Sequence, residues 1–191
     1  MNNFSDRIKK AIVENGGTET DTEFLTDELA LEFGKKLAQK GIQSRTKNPA
    51  YNVKPINTVD GIKKYFDWMY DWITPKHCPL KPVVEESKII ELIKCKPGST
   101  EATLKEIDER GFEPAPSNYV LGLGVQHPEA HTEHKYVVGL DKQNLFGDES
   151  GGPCFLCLGW DDERGLGVVG EASDWSDGWW FAVVRKSTSN S

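Results

Sequence analysis

The stretch Gly151–Lys186, GGPCFLCLGWDDERGLGVVGEASDWSDGWWFAVVRK, sets the expectation for the fold. Cys154 to Leu158 is an apolar run between Gly152-Pro153 and Gly159, the pattern of a buried strand. Asp161-Asp162-Glu163-Arg164-Gly165 reads as a polar turn ending in a residue that tolerates positive φ. Leu166 to Gly170 is a second short strand. Ser173 to Gly178 is a loop, and Trp179 to Val184 is the last strand. Neighbouring strand residues face opposite sides, so Trp179 and Trp180 are expected to point one into the core and one away from it. The stretch holds four of the six tryptophans of the chain. Tryptophan fills cores, and it is also a rigid contact residue for ligands and partners. Trp175, between Asp174 and Ser176 in the loop, is the one expected to be exposed.

Upstream, the pattern turns helical. Ser5 to Glu14 carries Ile8, Ala11 and Ile12 on one face and stops at Gly16-Gly17. Thr20 with Glu23 resembles a capping box. From there Leu25, Leu29, Phe33 and Leu37 form an apolar stripe to about Lys40, before Gly41. Gln43 to Lys54 is polar and Pro-interrupted, and reads as a linker. Asn57 or Thr58 is expected to cap a helix through Ile62, Tyr65, Phe66 and Met69, with Trp68, Trp72 and Ile73 extending its apolar surface. Lys88 to Ile93 is a strand. Ser99 caps an amphipathic helix with Leu104 and Ile107 inward, closed by Gly111. Tyr119 to Val125 is a short helix or a strand, and Tyr136 to Leu140 is a strand. Helices first and strands later imply an α+β class. The expected organisation is a helical extension over 1–48, a domain over 49–186 and a disordered tail over 187–191.

The chain has 191 residues and a net charge of −7, with an isoelectric point near 5.2. It is long enough to bury a core without staples. An acidic balance argues against binding a nucleic-acid backbone, which wants a basic face. No apolar run has membrane-spanning length, and the N-terminus lacks the apolar core of a signal peptide. The expectation is a cytoplasmic protein whose four cysteines are free thiols.

Two constellations bear on chemistry. His127, His131 and His134 would share one face of a helix begun by Pro128, the arrangement of a zinc site, with Glu129 and Glu133 adding carboxylates. Asp161-Asp162-Glu163 offers oxygen ligands of the kind Ca²⁺ takes, against the alternative of a solvated turn. Cys154-x-x-Cys157 has a metal-knuckle spacing. On a strand, however, residues three apart face opposite sides, and two buried thiols are the expectation. No nucleophile elbow, phosphate-binding loop or dinucleotide fingerprint occurs.

The run Glu106-Ile107-Asp108-Glu109-Arg110-Gly111-Phe112-Glu113-Pro114-Ala115 resembles a step found in a family of small uncharacterised bacterial and phage proteins. So do Tyr136-Val137-Val138-Gly139-Leu140, the ending Trp180-Phe181-Ala182-Val183-Val184-Arg185-Lys186 and, loosely, Tyr70 to His77. Pro116 stands where that family has Thr. The C-terminal half of the family is similar to the C-type-lectin-like fold of formylglycine-generating-enzyme-like domains and of variable proteins of diversity-generating retroelements. The resemblance implies a mixed α/β domain with an antiparallel sheet. It also implies a binding face at Trp160, Asp161, Asp162, Arg164, Ser173, Asp174, Trp175, Ser176, Asp177 and Trp179. The expected function is a non-enzymatic protein that binds a protein or carbohydrate ligand, diversified or fixed. Rival readings are a metal-dependent enzyme or metal-binding protein centred on the histidines, and a structural subunit whose N-terminal helices dock a partner.

Overall fold

A computed structural model describes residue 32 and residues 48–84, 86–148, 150–160 and 163–186. The chain divides into two units, Met1–Arg45 and Thr46–Ser191, and the described fold is that of the second. The helices expected over 5–14 and 20–40, the tail, and Asp161 with Asp162 lie outside the described residues.

The strands are β1 (Ala50–Val53), β2 (Trp68–Met69), β3 (Lys88–Ile93), β4 (Gly98–Ser99), β5 (Phe112–Pro114), β6 (Tyr136–Val138), β7 (Phe146–Gly147), β8 (Pro153–Trp160), β9 (Glu163–Gly170), β10 (Asp174–Trp175) and β11 (Trp179–Arg185). The helices are α1 (Thr100–Glu109), α2 (Ser117–Gln126) and α3 (Pro128–Glu133). Nine strands form one sheet in the order β1-β3-β11-β6-β8-β9-β2, with β5 paired to β11 and β7 to β8; β4 and β10 make a separate pair.

The expected class does not hold. Strands dominate the described residues, and the two ten-residue helices lie mid-chain, between strands. The sheet is mixed rather than antiparallel: β11 runs parallel to β6, and β2 runs parallel to β9. Parallel partners are necessarily remote in sequence. Trp179 meets Tyr136, and Trp68 meets Gly165. No turn signal announces such pairings, so hairpin-like motifs in a row suggest an antiparallel sheet that the long crossovers replace.

Period-two alternation sorts the sheet residues between two cores. Ile90, Leu92, Leu156, Leu158, Leu166, Ala182 and Val184 face one side, where α2 supplies Tyr119, Val120, Leu121 and Leu123. Ile93, Val138, Phe155, Phe181 and Val183 face the other, where α1 supplies Ile107. Trp180 packs against the first core and Trp179 against the second, which answers the two-faced expectation for that dipeptide. The N-cap at Ser99 accepts from Ala102 N at 3.3 Å, and Gly111 takes φ +78° after α1, both as the sequence indicates.

The run Tyr119–Val125 resolves as helix α2, buried from Ser117 to Gly124. Gly122 makes that burial possible, because a Cβ there would stand 2.1 Å from the Lys54 carbonyl oxygen. Two other expectations are corrected. The linker contains edge strand β1, which pairs with β3 from Ala50↔Glu91 to Val53↔Lys88. The helix expected from Asn57 to Met69 is reduced to a single 3₁₀ turn, Lys63–Tyr65. Gly61 at φ +68° interrupts it before, and Phe66 turns extended after it at φ −121°, ψ 140°. Ile62 and Phe66 still reach the core, so the apolar spacing is real. Sheet pairing has won over helix propagation: Asp67 N donates to the Arg164 carbonyl at 2.8 Å, and β2 closes the sheet edge. Among the described residues no helix is long and apolar enough to cross a membrane.

Candidate functional site

Beyond β2 the chain stays against the sheet and presents aromatic rings in sequence. Trp68 and Tyr70 meet edge to face at 4.3 Å and 70°. Tyr70 and Trp72 stack at 5.5 Å and 20°. Gly167 of β9 lies against the first indole, where an added Cβ would stand in ordinary contact 3.4 Å from the Trp68 ring. Ile73 is buried behind them, with its N–H bonded to the Tyr70 carbonyl at 3.1 Å. The anchored backbone therefore fixes a row of half-buried rings.

Facing them is the turn after β7. One oxygen of Asp148, Oδ1, accepts from Ser150 N at 2.8 Å, Ser150 Oγ at 2.6 Å and Gly152 N at 2.8 Å. Gly151 in that turn sits at φ +85°, a conformation glycine adopts freely. Those donors, led by the Ser150 hydroxyl, hold the carboxyl below the usual carboxylate range. The Gly151 backbone N–H adds to those donors, and among the described residues no lysine or arginine pairs with Asp148.

Tyr70, Trp72, Asp148, Ser150, Cys154, Val168 and Gly170 line one cleft of about 400 Å³, within the usual size range of small-ligand sites. Burial, and then the charge of Asp148, push the Cys154 thiol up. A second cleft, of about 290 Å³, lies at Ser99, Thr100, Lys142 and Glu171. Its polar groups satisfy one another: Lys142 pairs with Glu171 at 3.5 Å, and the Thr100 hydroxyl donates to the Glu171 carbonyl at 2.7 Å while accepting from Trp175 Nε1 at 3.1 Å.

Comparison with protein-family models, curated proteins and solved structures gives no match.

The described side chains of the expected binding face do not gather at one place. Arg164 lies at the start of β9 and Ser173 just past its end. Seven steps of strand at about 3.3 Å each separate those ends by roughly 23 Å. Arg164 is committed to Asp67, with Nη2 at 2.7 Å and Nε at 3.1 Å from the carboxylate. Trp175, expected to be exposed, is 2% exposed and packs edge-on against Trp179 at 5.0 Å and Phe181 at 5.6 Å. A polar flank does not keep it outside, because β10 pairs with β4 and turns the indole inward onto Thr100. Trp179 is half-buried between Trp175 and Tyr136. Asp174, Ser176 and Asp177 are exposed and Ser173 is half-buried. Trp160 contributes its backbone to β8.

His127 and His134 also separate. Both ring nitrogens of His127 face oxygens, Glu129 Oε1 and the Asn52 carbonyl oxygen, each at 3.1 Å, so neither nitrogen is aimed at an open site. With Gln126, whose amide both donates to and accepts from the Lys54 backbone, His127 covers the outer edge of β1. Helix α3 ends at Glu133, which takes His134 off the helical face. His134 lies against Trp180 at 4.4 Å with Nε2 buried and unpartnered, and burial lowers its pKa. The side chain of His131 lies outside the described residues. Among the described residues no three His, Cys, Asp or Glu side chains gather as a metal site.

The cleft residues carry a signal that a helical reading obscures. Aromatics at 68, 70 and 72 span the end of β2 and the turn that follows it, closed by the Ile73 N–H on the Tyr70 carbonyl. Asp148-x-Ser150-Gly151-Gly152 is the pattern of a side-chain-closed turn.

Proposed function

We propose that this protein is a non-enzymatic binding protein that holds a small ligand in the cleft between Tyr70, Trp72 and Asp148. The observation that carries this reading is the convergence, in one cleft, of a stacked aromatic pair and a carboxylate that no lysine or arginine pairs with among the described residues. Aromatic surface supplies affinity at low entropic cost, and a single oriented polar group supplies specificity. The thiols favour binding over covalent chemistry. Burial pushes Cys78 and Cys95 up to about 11 and Cys157 to about 12, so they stay protonated and poorly nucleophilic near neutral pH.

A fragment library screened by thermal shift and by tryptophan fluorescence tests the reading. Hits are expected that disappear in Trp72→Ala and persist in Trp175→Phe. Hits indifferent to Trp72→Ala, or none at all, would place binding elsewhere or refute it.

A further inference from the structure

The charge balance of the cleft is one-sided. Asp148 is exposed, ionised and held in a fixed orientation by three donors on Oδ1. The residues lining the cleft include no base, and among the described residues Asp148 has no salt-bridge partner. The Asp148 charge is felt inside the cleft, where it acts on the Cys154 thiol. The rest of the lining includes the stacked pair Tyr70 and Trp72, and Val168. Electron-rich ring faces attract cations, Trp most strongly. An uncompensated carboxylate beside them adds to that attraction, and the net charge of −7 raises the local concentration of cations around the whole molecule.

We infer that the cleft takes an organic cation with an alkylated ammonium headgroup, its charge set between the Asp148 carboxylate and the Tyr70–Trp72 ring pair. This rests on the reading of the cleft as a binding site. Alkylation matters because a bare ammonium is strongly hydrated and needs three acceptors. The cleft lining combines polar groups, the Asp148 carboxylate and the Ser150 and Tyr70 hydroxyls among them, with the apolar surface of Tyr70, Trp72 and Val168, which C–H groups suit better than N–H donors do. An alkylated ammonium brings few donors and much C–H surface. A neutral ligand of the same shape forfeits both electrostatic terms, and an anion is repelled.

The experiment compares choline with 3,3-dimethyl-1-butanol, in which carbon replaces the charged nitrogen at nearly constant shape. Both are titrated into the full chain at low salt, with tryptophan fluorescence and calorimetry as readouts. Choline is expected to bind at least about tenfold more tightly than the alcohol, a difference of about 1.4 kcal/mol, and to weaken with salt. Asp148→Asn should remove that preference. The amide keeps Oδ1 as an acceptor for Ser150 and Gly152, so the turn is retained. Trp72→Ala should weaken both probes. If the alcohol binds wild type as well as choline does, the cation assignment fails and the binding reading stands. If neither probe binds, and indole does not bind either, both fail. Acid offers an independent check: choline binding should persist as pH falls to about 4 and be lost below, because the folded Asp148 carboxyl titrates under the ordinary value of about 3.9.

Discussion

Trp175 illustrates how one residue's surroundings in space override its neighbours in sequence. It stands among Asp and Ser, yet its ring is packed edge-on against Trp179 and Phe181 and its N–H is satisfied by Thr100. Truncating a large buried aromatic removes its transfer free energy and leaves a cavity, typically about 3–5 kcal/mol together. Trp175→Ala should therefore lower the chemical-denaturation stability by about that amount, and a loss under about 1 kcal/mol would show the residue to be outside the core. The four buried thiols make a second prediction at this scale. Burial raises their pKa values in the folded state and leaves them near 8.5 when unfolded. The stability they contribute is complete below that unfolded value and is lost as pH rises toward the folded values. Urea midpoints should fall between about pH 8.5 and pH 10 while native-state alkylation stays slow. A flat midpoint with rapid alkylation would contradict the burial.

At the scale of elements, the junction of β3 and β11 joins an exposed cation to a buried carboxylate. Glu91 is 1% exposed; its carboxylate accepts from Arg185 Nη2 at 3.1 Å and from Asn48 at 2.8 Å, and Arg185 Nε stands 2.6 Å from it as an ion pair. Val183 pairs with the same residue across the ladder, so the ion pair bridges neighbouring strands. Removing one partner strands a buried charge, which costs roughly 3–5 kcal/mol for a fully buried pair. The Arg185 side chain is 60% exposed, and solvent screening lowers the expectation to about 2 kcal/mol. Arg185→Ala should show that loss in urea unfolding and Glu91→Gln a smaller one. Equal stability of Arg185→Ala and wild type would mean that water replaces the guanidinium without cost. The helix expected at 57–69 belongs to this scale too. Its apolar residues do reach the core, but an edge of β9 was available to pair with Trp68 and Met69, and ladder formation there outweighed a helix already broken at Gly61.

For the whole molecule, legibility follows the range of the interactions. The strands at Cys154–Leu158, Lys88–Ile93 and Trp179–Val184, the Ser99 cap and the Gly111 stop were all readable, because each rests on residues within a few positions of one another. The same local logic assigned both cysteines of Cys154-x-x-Cys157 to the interior, where they lie. The cleft was not readable as a site. It joins Tyr70 and Trp72 to Asp148 and Cys154, residues separated by most of a domain and brought together by the β2–β9 and β7–β8 pairings. Proximity in sequence did not by itself give His127 and His134 a common helical face, since α3 ends at Glu133 and His127 faces the edge of β1. By itself, then, the sequence determined the apolar strands, the caps and turns, the buried thiols and the acidic charge, all set by local sterics and by the solubility of side chains in water. The tertiary structure alone decided the parallel pairings, the inward turn of Trp175 and the meeting of rings and carboxylate, because those depend on long-range closure between segments whose partners no local pattern names.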